Sequence, residues 1–124
     1  MEIEIIGRAE ITQGKGPEKV KILKITGDKG ETVELEIPEK ILYDESLSFL
    51  TKETVRFIIT DKQLNESKWP LLMTAFIYSS TQDSESGKTM LKASIGGLQL
   101  LASLPFEISL NKSLTKVYIG VSPA

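Results

Sequence analysis

Apolar and polar residues alternate over short stretches of this chain, which is the period of a β-strand with one buried face. In the first stretch, Ile3, Ile5 and Ile11 share one face, while Glu2 and Glu4 lie on the other. Glycine, proline and polar residues separate such stretches and predict turns between them. The same alternation predicts further strands at residues 19–26, 32–37, 54–60 and 117–121.

The second and third strands are predicted to form a hairpin that is closed by residues 27–30. The expected register places Ile25 opposite Val33 on the inner face of the hairpin. It also places Lys24 opposite Glu34 on the outer face, where the two charges would attract each other. The third strand then ends at a proline, which cannot donate a hydrogen bond to a neighbouring strand.

The second strand carries an irregularity, because its apolar residues change face midway. Val20 and Ile22 share one phase, whereas Leu23 and Ile25 share the other. One additional residue in the strand would produce this change, so we expect a bulge near Ile22. The connection after the third strand, residues 38–53, mixes apolar and acidic residues, and we expect one helical turn near its middle.

Two segments, residues 71–80 and 90–104, are apolar on nearly every side. A strand of a small domain needs only one apolar face, so these segments are either deeply buried or covered by another protein. The second segment contains Gly96 and Gly97, which would permit a kink in the strand or a close approach of a partner's backbone. The two segments are therefore the first candidates for an interaction surface.

The number and spacing of the strands define the expected fold. Residues 1–124 are long enough for one domain with a single core and too short for two. About seven to eight short strands with close turns and little helix favour an all-β fold. We expect a small antiparallel β-barrel, because closure would remove exposed strand edges.

Composition removes several classes of function. The chain has no cysteine and no histidine, so thiolate chemistry and the commonest general base and metal ligand are missing. Its net charge of −2 does not favour a bulk attraction to polyanions. The first residues do not have the pattern of a signal peptide, and no apolar stretch is as long as a membrane span. We therefore expect a cytoplasmic protein.

Short motifs for bound ligands are weak in this sequence. Gly14, Lys15 and Gly16 resemble part of a phosphate-binding loop, but a proline follows where the motif requires a helix. Residues 83–87 place oxygen ligands at alternate positions, as calcium loops do, yet the later acidic ligands are missing. Both segments are interpreted as turns, and no metal or cofactor is expected.

Catalytic and nucleic-acid-binding patterns are equally weak. Pairs of glutamates, Glu2 with Glu4 and Glu34 with Glu36, share strand faces, but the surroundings favour a solvated surface over glycoside chemistry. Lysines concentrate at residues 15–29, away from the aromatic residues that would stack on bases. We therefore expect no catalytic residue and no direct contact with nucleic acid.

The last third of the chain resembles a known family. Residues 95–98, Ile-Gly-Gly-Leu, precede an apolar run to Leu104, then Phe106 and finally Val117-Tyr118-Ile119. This order resembles the eighth common subunit of RNA polymerases, in the form found in crenarchaea. The resemblance is most specific over residues 92–121. Gln99 and the two leucines after it stand where eukaryotic members carry a Met-Arg pair, which points to the archaeal form.

The resemblance implies a barrel related to the oligonucleotide-binding fold, with a structural role in DNA-directed RNA polymerase and no part in catalysis. It implies that the chain docks on the largest polymerase subunit during transcription and assembles with the rest of the complex. An alternative is an independent oligonucleotide-binding-fold module that binds single-stranded nucleic acid. The residues expected to contact the protein partner are Gly96, Gly97, Leu98, Gln99, Leu100, Leu101 and Tyr118.

Overall fold

The computed structural model describes residues 2–13, 19–51, 53–108 and 115–124. In these ranges the chain forms eight β-strands and three short 3-10 helices. The helices span Glu39–Tyr43, Glu45–Thr51 and Glu66–Lys68. The strands are β1 (Glu2–Gln13), β2 (Val20–Gly27), β3 (Thr32–Pro38), β4 (Thr54–Thr60), β5 (Leu71–Asp83), β6 (Lys88–Ile95), β7 (Leu98–Leu104) and β8 (Thr115–Pro123).

The strands close into one antiparallel barrel in the order β1-β2-β3-β7-β6-β5-β8-β4, with β4 returning to β1. Four pairs of strands that follow each other in sequence also lie side by side, namely β1 with β2, β2 with β3, β5 with β6, and β6 with β7. The contacts of β3 with β7, β5 with β8, β4 with β8, and β1 with β4 join strands that are distant in sequence. The predicted small all-β barrel is thus confirmed.

Alternate residues of the strands fill the interior of the barrel. On β3 the inward residues are Val33, Leu35 and Ile37, and none of the three exposes any side-chain surface. On β7, Leu100 and Ala102 are also buried inside the barrel, and each is paired with an inward residue of β3. Because side chains alternate between the two faces of a strand, every inward residue leaves its neighbours on the outer surface.

The first strand closes the barrel by pairing with two neighbours in succession. Residues 2–8 pair with β4 and residues 7–13 pair with β2, so the pairings overlap at Gly7 and Arg8. At Gly7 the backbone comes so close to β2 that an added Cβ would lie 2.0 Å from the Thr26 carbonyl oxygen. Glycine in a strand marks such a close approach, and here it permits the sheet to curl onto itself.

One end of the barrel is covered by the connection between β3 and β4. Its second 3-10 helix buries Leu47, Phe49 and Leu50, which join the main hydrophobic core. This helix contacts β1, β4 and β8, so it lies over the open end of the barrel. The connection contains more helix than the single turn that the sequence predicted, because its apolar residues serve as a cover for the core.

The β2–β3 hairpin has the predicted register, with Ile25 opposite Val33 and Lys24 opposite Glu34. The bulge predicted near Ile22 was wrong, since pairing with β3 is continuous from Val20 to the end of the strand. Val20 and Ile22 instead lie half-buried on the outer surface. A register irregularity does occur between β5 and β6, where Tyr78 is the additional residue between Ile77 and Ser79.

Among the described residues, no helix is long and apolar enough to cross a membrane. The Gly14-Lys15-Gly16 motif lies outside the described residues, so its interpretation as a turn stays a prediction.

The barrel closure predicts a large effect for the smallest substitution in β1. In Gly7→Ala, the new methyl group would overlap the Thr26 carbonyl oxygen, so β1 and β2 would have to separate. We expect the free energy of unfolding to fall by about 3 kcal/mol, the upper end of the usual range for overpacking. Urea denaturation followed by circular dichroism measures this change.

Thr12→Ala is the matched control, because Thr12 is exposed on the same strand. Its effect should remain within about 0.5 kcal/mol. Equal stabilities of the two variants would show that Gly7 does not limit the closure.

Candidate interaction surface

The glycine pair of the apolar segment forms the tight turn between β6 and β7. Gly96 and Gly97 have φ angles of +55° and +93°, and Ile95 pairs with Leu98 across the turn. Two residues with positive φ are what a type I′ hairpin turn requires, and glycine adopts this conformation without strain. An added Cβ at either position would meet no atom within 4 Å. Of the two possibilities that the glycines left open, a kink within one strand is wrong, because residues 90–104 belong to two strands joined by a turn.

The residues after the turn alternate between the two faces of β7. Leu100 is 1% exposed and lies inside the barrel, so it has no surface to offer a partner. Leu98 is half-buried at the end of the strand, Gln99 is exposed, and Leu101 is half-buried on the outer face. We call Gly96, Gly97, Leu98, Gln99 and Leu101 the hairpin surface. The sequence suggested that the residues after the glycines are buried on both faces. In the structure, the outer face of β7 carries one leucine, Leu101, in the middle of the strand.

Two of the large apolar side chains that are exposed to solvent lie on the fifth strand. Phe76 and Tyr78 lie on the outer face of β5 and are 43% and 44% exposed. The bulge makes Tyr78 an additional residue, and its side chain reaches across β6. The Tyr78 hydroxyl donates a hydrogen bond of 2.5 Å to Oε1 of Gln99 on β7. This contact connects β5 to the hairpin surface.

Tyr118 lies apart from the other expected partner-binding residues. It belongs to β8, which is separated from β7 by β6 and β5. Its neighbours are Thr74, which pairs with it on β5, and Lys116, whose Nζ lies 5.5 Å from the centre of the tyrosine ring. Lys116 in turn pairs with Phe76. Tyr118 thus belongs to a group around Phe76 and not to the hairpin surface.

Charge is unevenly distributed around the barrel. Among the described outward positions of β6, β7, β8 and β5 as far as Thr81, there are three lysines, Lys88, Lys92 and Lys116, and no carboxylate. Farther along β5, Asp83 pairs with Lys88. The boundary lies at β3, where Glu36 accepts a hydrogen bond of 2.7 Å from the backbone N–H of Gln99. The outer face of β1 and β3 carries Glu2, Glu4, Glu10, Glu34 and Glu36 together with Arg8, while Lys24 and Arg56 lie on the neighbouring strands β2 and β4.

The single tryptophan covers part of the outer surface, which the sequence pattern did not predict. Trp69 is 8% exposed because the β4–β5 loop folds back and lays its ring on Gly120. The guanidinium group of Arg56 lies over the ring, 5.2 Å from its centre, and pairs with Glu4 at 2.8 Å. Ile58, an outward residue of β4, is 3% exposed. A glycine within a predicted strand was the one available signal for this close contact.

The acidic tip between β5 and β6 is a hairpin turn. Asp83 accepts a hydrogen bond from the Glu85 N–H through its carboxylate and another from the Gly87 N–H through its carbonyl oxygen. The Glu85 hydrogen bond, with smaller contributions that include Ser86 and Lys88, lowers the pKa of Asp83. Within the described residues, no group of three carboxylates is placed to hold a metal ion.

A separate groove of about 580 Å³ lies beside the first 3-10 helix, between Lys19, Lys40 and Tyr43. Tyr43 is 77% exposed, and its hydroxyl donates to Oε1 of Glu39 at 3.2 Å. The negative charge of Glu39 and this hydrogen bond raise the pKa of Tyr43. The neighbouring Asp44 has a lowered pKa, because it accepts hydrogen bonds from Ser46. This aromatic residue is isolated, unlike the group on β5 and β8.

Comparisons with known proteins give no family for this chain. No protein-family model matches it, and no curated protein matches it significantly. The functional interpretation therefore depends on the residues and their geometry.

The Trp69 contact predicts a spectroscopic effect of Gly120→Ala. The added methyl group would lie 2.6 Å from ring atoms of Trp69, so the ring must move off the barrel. Because Trp69 is the only tryptophan, its fluorescence reports this movement directly. We expect a red shift of the emission in Gly120→Ala at a temperature where the variant is still folded.

The control is Ser122→Ala, which alters an outward residue two positions along the same strand. Its emission maximum should match that of the unaltered protein. An unshifted spectrum in Gly120→Ala would contradict the close packing of the ring on this strand.

Proposed function

We propose that this protein is a non-catalytic structural subunit of an archaeal DNA-directed RNA polymerase, and that it docks on the largest subunit. The proposal starts from the resemblance over residues 92–121, which include the second half of β6, all of β7 and most of β8. Under this proposal, the protein acts in the cytoplasm of an archaeon, where the polymerase is. The relation to the oligonucleotide-binding fold is part of the same proposal.

The observation that carries the proposal is the exposure of the hairpin surface. Its turn residues are exposed, and Leu98 and Leu101 keep part of their apolar surface in contact with solvent. Burial of apolar surface contributes about 25 cal/mol per Å², so a few hundred Å² here would support a permanent contact. Tyr78 extends this surface, because its hydrogen bond to Gln99 holds the ring beside the hairpin.

The arrangement favours docking over catalysis for a second reason. The paired glutamates of β1 and β3 lie on the outer surface, and Glu4 is engaged by Arg56. They have no enclosed cleft between them in which a substrate could be held away from water. A closed barrel with an apolar hairpin surface is suited to a fixed position in a larger assembly.

Co-purification tests the docking surface. Gln99→Arg with Leu101→Ser introduces a charge and removes an apolar contact, while Glu36 and Glu34 beside these positions tolerate the arginine. Expressed with an affinity tag in an archaeal host, the unaltered chain should retain the large polymerase subunits. The amount of these subunits recovered with the double variant should be at least about tenfold lower, which is equivalent to about 1.4 kcal/mol of binding free energy.

Ser103→Arg is the control, since Ser103 lies on the outer face of the same strand but farther from the turn. Circular dichroism and a thermal melt must show that both proteins are folded. Equal recovery of polymerase with the double variant would exclude the hairpin surface as the docking site. Absence of polymerase subunits with the unaltered chain would overturn the proposed function itself.

A further inference from the structure

We propose that the outer face of β5 and β8, centred on Phe76, Tyr118 and Lys116, binds a single-stranded polynucleotide. This site is separate from the hairpin surface and does not depend on the polymerase assignment. Single-strand-binding proteins combine aromatic rings that stack on bases with cations that contact the phosphates, and such binding tolerates any sequence. Both components meet on these two strands.

The strand pairing sets the geometry of the site. Phe76 lies directly opposite Lys116, and Tyr118 follows two residues later on β8, opposite Thr74. Phe76 and Tyr118 are thus diagonal neighbours, about 7–8 Å apart on the same face of the sheet. Two bases of one strand could therefore stack on separate rings without a change in the backbone of the barrel.

Lys116 stands between the two rings. Its Nζ lies 5.5 Å from the ring centre of Tyr118, and the side chain is exposed. A cation–π contact at an exposed site is weak, so the ammonium group can turn to a phosphate without a large loss.

The electrostatic surroundings distinguish this face from the rest of the molecule. Although the chain has a net charge of −2, the described outward residues of β6, β7, β8 and β5 as far as Thr81 carry three lysines, Lys88, Lys92 and Lys116, and no carboxylate. Outward glutamates lie on β1 and β3, and Glu2 of β1 is separated from Tyr118 by Thr60 of β4. A phosphate backbone that follows β5 and β8 would therefore meet the lysines of this face before the glutamates of β1.

The composition of the face favours a nucleic acid over a protein partner. The rings are separated by polar residues, with Lys116 and Thr74 between them and Ser94 beside Phe76 on β6. Protein interfaces instead bury a contiguous apolar centre with few lysines. Along the sequence, the lysines of residues 15–29 are remote from aromatic side chains, and only the β5–β8 pairing brings residues 76 and 116 together.

Fluorescence anisotropy on the isolated full chain tests the proposal. The probes are fluorescein-labelled oligothymidylate and oligouridylate of about 15 nucleotides, within the range that single-strand sites cover. We expect saturable binding of one or both at low salt. Two lysine–phosphate contacts predict a slope of about −1.4 in the log–log plot against salt, so about fourfold more salt should weaken binding by about sevenfold.

Substitutions at the site should act in distinct ways. Phe76→Ala and Tyr118→Ala should each weaken binding by about tenfold, within the range measured for stacking contacts. Lys116→Gln should reduce the salt slope to about −0.7, because one phosphate contact is lost. The matched controls are Tyr43→Ala and Lys40→Gln, which remove an exposed ring and an exposed charge elsewhere and should leave the affinity unchanged.

Several outcomes would overturn the proposal. One is the absence of binding to both probes at low salt, and another is an equal loss of affinity in Tyr43→Ala and Phe76→Ala. Loss of polymerase co-purification in Phe76→Ala with Tyr118→Ala, without a change in oligonucleotide binding, would assign this face to a protein partner instead. A preference for one probe would identify the bound strand as DNA or RNA and would support the proposal.

Discussion

The closure of the barrel through β1 is the constraint on which the rest of the structure depends. One strand has to pair with β4 along its first half and with β2 along its second half, and the change occurs at Gly7. A side chain there would collide with the Thr26 carbonyl group. Once the sheet is closed, its interior has room for one side chain per alternate residue, and the described strands bury their apolar faces there.

Closure also separates the requirements of the two faces of each strand. The inner face must fill the core, so residues such as Leu100 are unavailable for other purposes. The outer face does not have to fill the core. At Gly120 it is covered by the ring of Trp69. Elsewhere its residues can serve a partner. The bulge at Tyr78 uses this freedom, because one additional residue sends a ring across β6 without disturbing the core.

Local pattern predicted the strands, the β2–β3 register and the barrel class, since these depend on alternation and turn residues. It failed at Ile22, because apolar residues on the outer surface of β2 produce the same change of phase as a bulge. It also could not distinguish an apolar segment that is buried on both faces from a tight hairpin with one outer leucine. The sequence named Gln99, Leu101 and Tyr118 as contact residues, and the structure places all three on the outer surface. The proximity of Tyr118 to Phe76 could not be predicted, because it arises from strand pairing across some forty residues.

The placement of charge gives the barrel a property that its small net charge conceals. Glutamates outnumber basic residues on the outer face of β1 and β3, whereas the described outward charges on β6 and β8 are lysines. The outer faces of the described strands therefore differ in charge around the barrel. In the field of a polyanionic surface, this difference favours approach by the side that carries the lysines. The orientation of an encounter is thus biased at distances greater than those at which individual side chains touch.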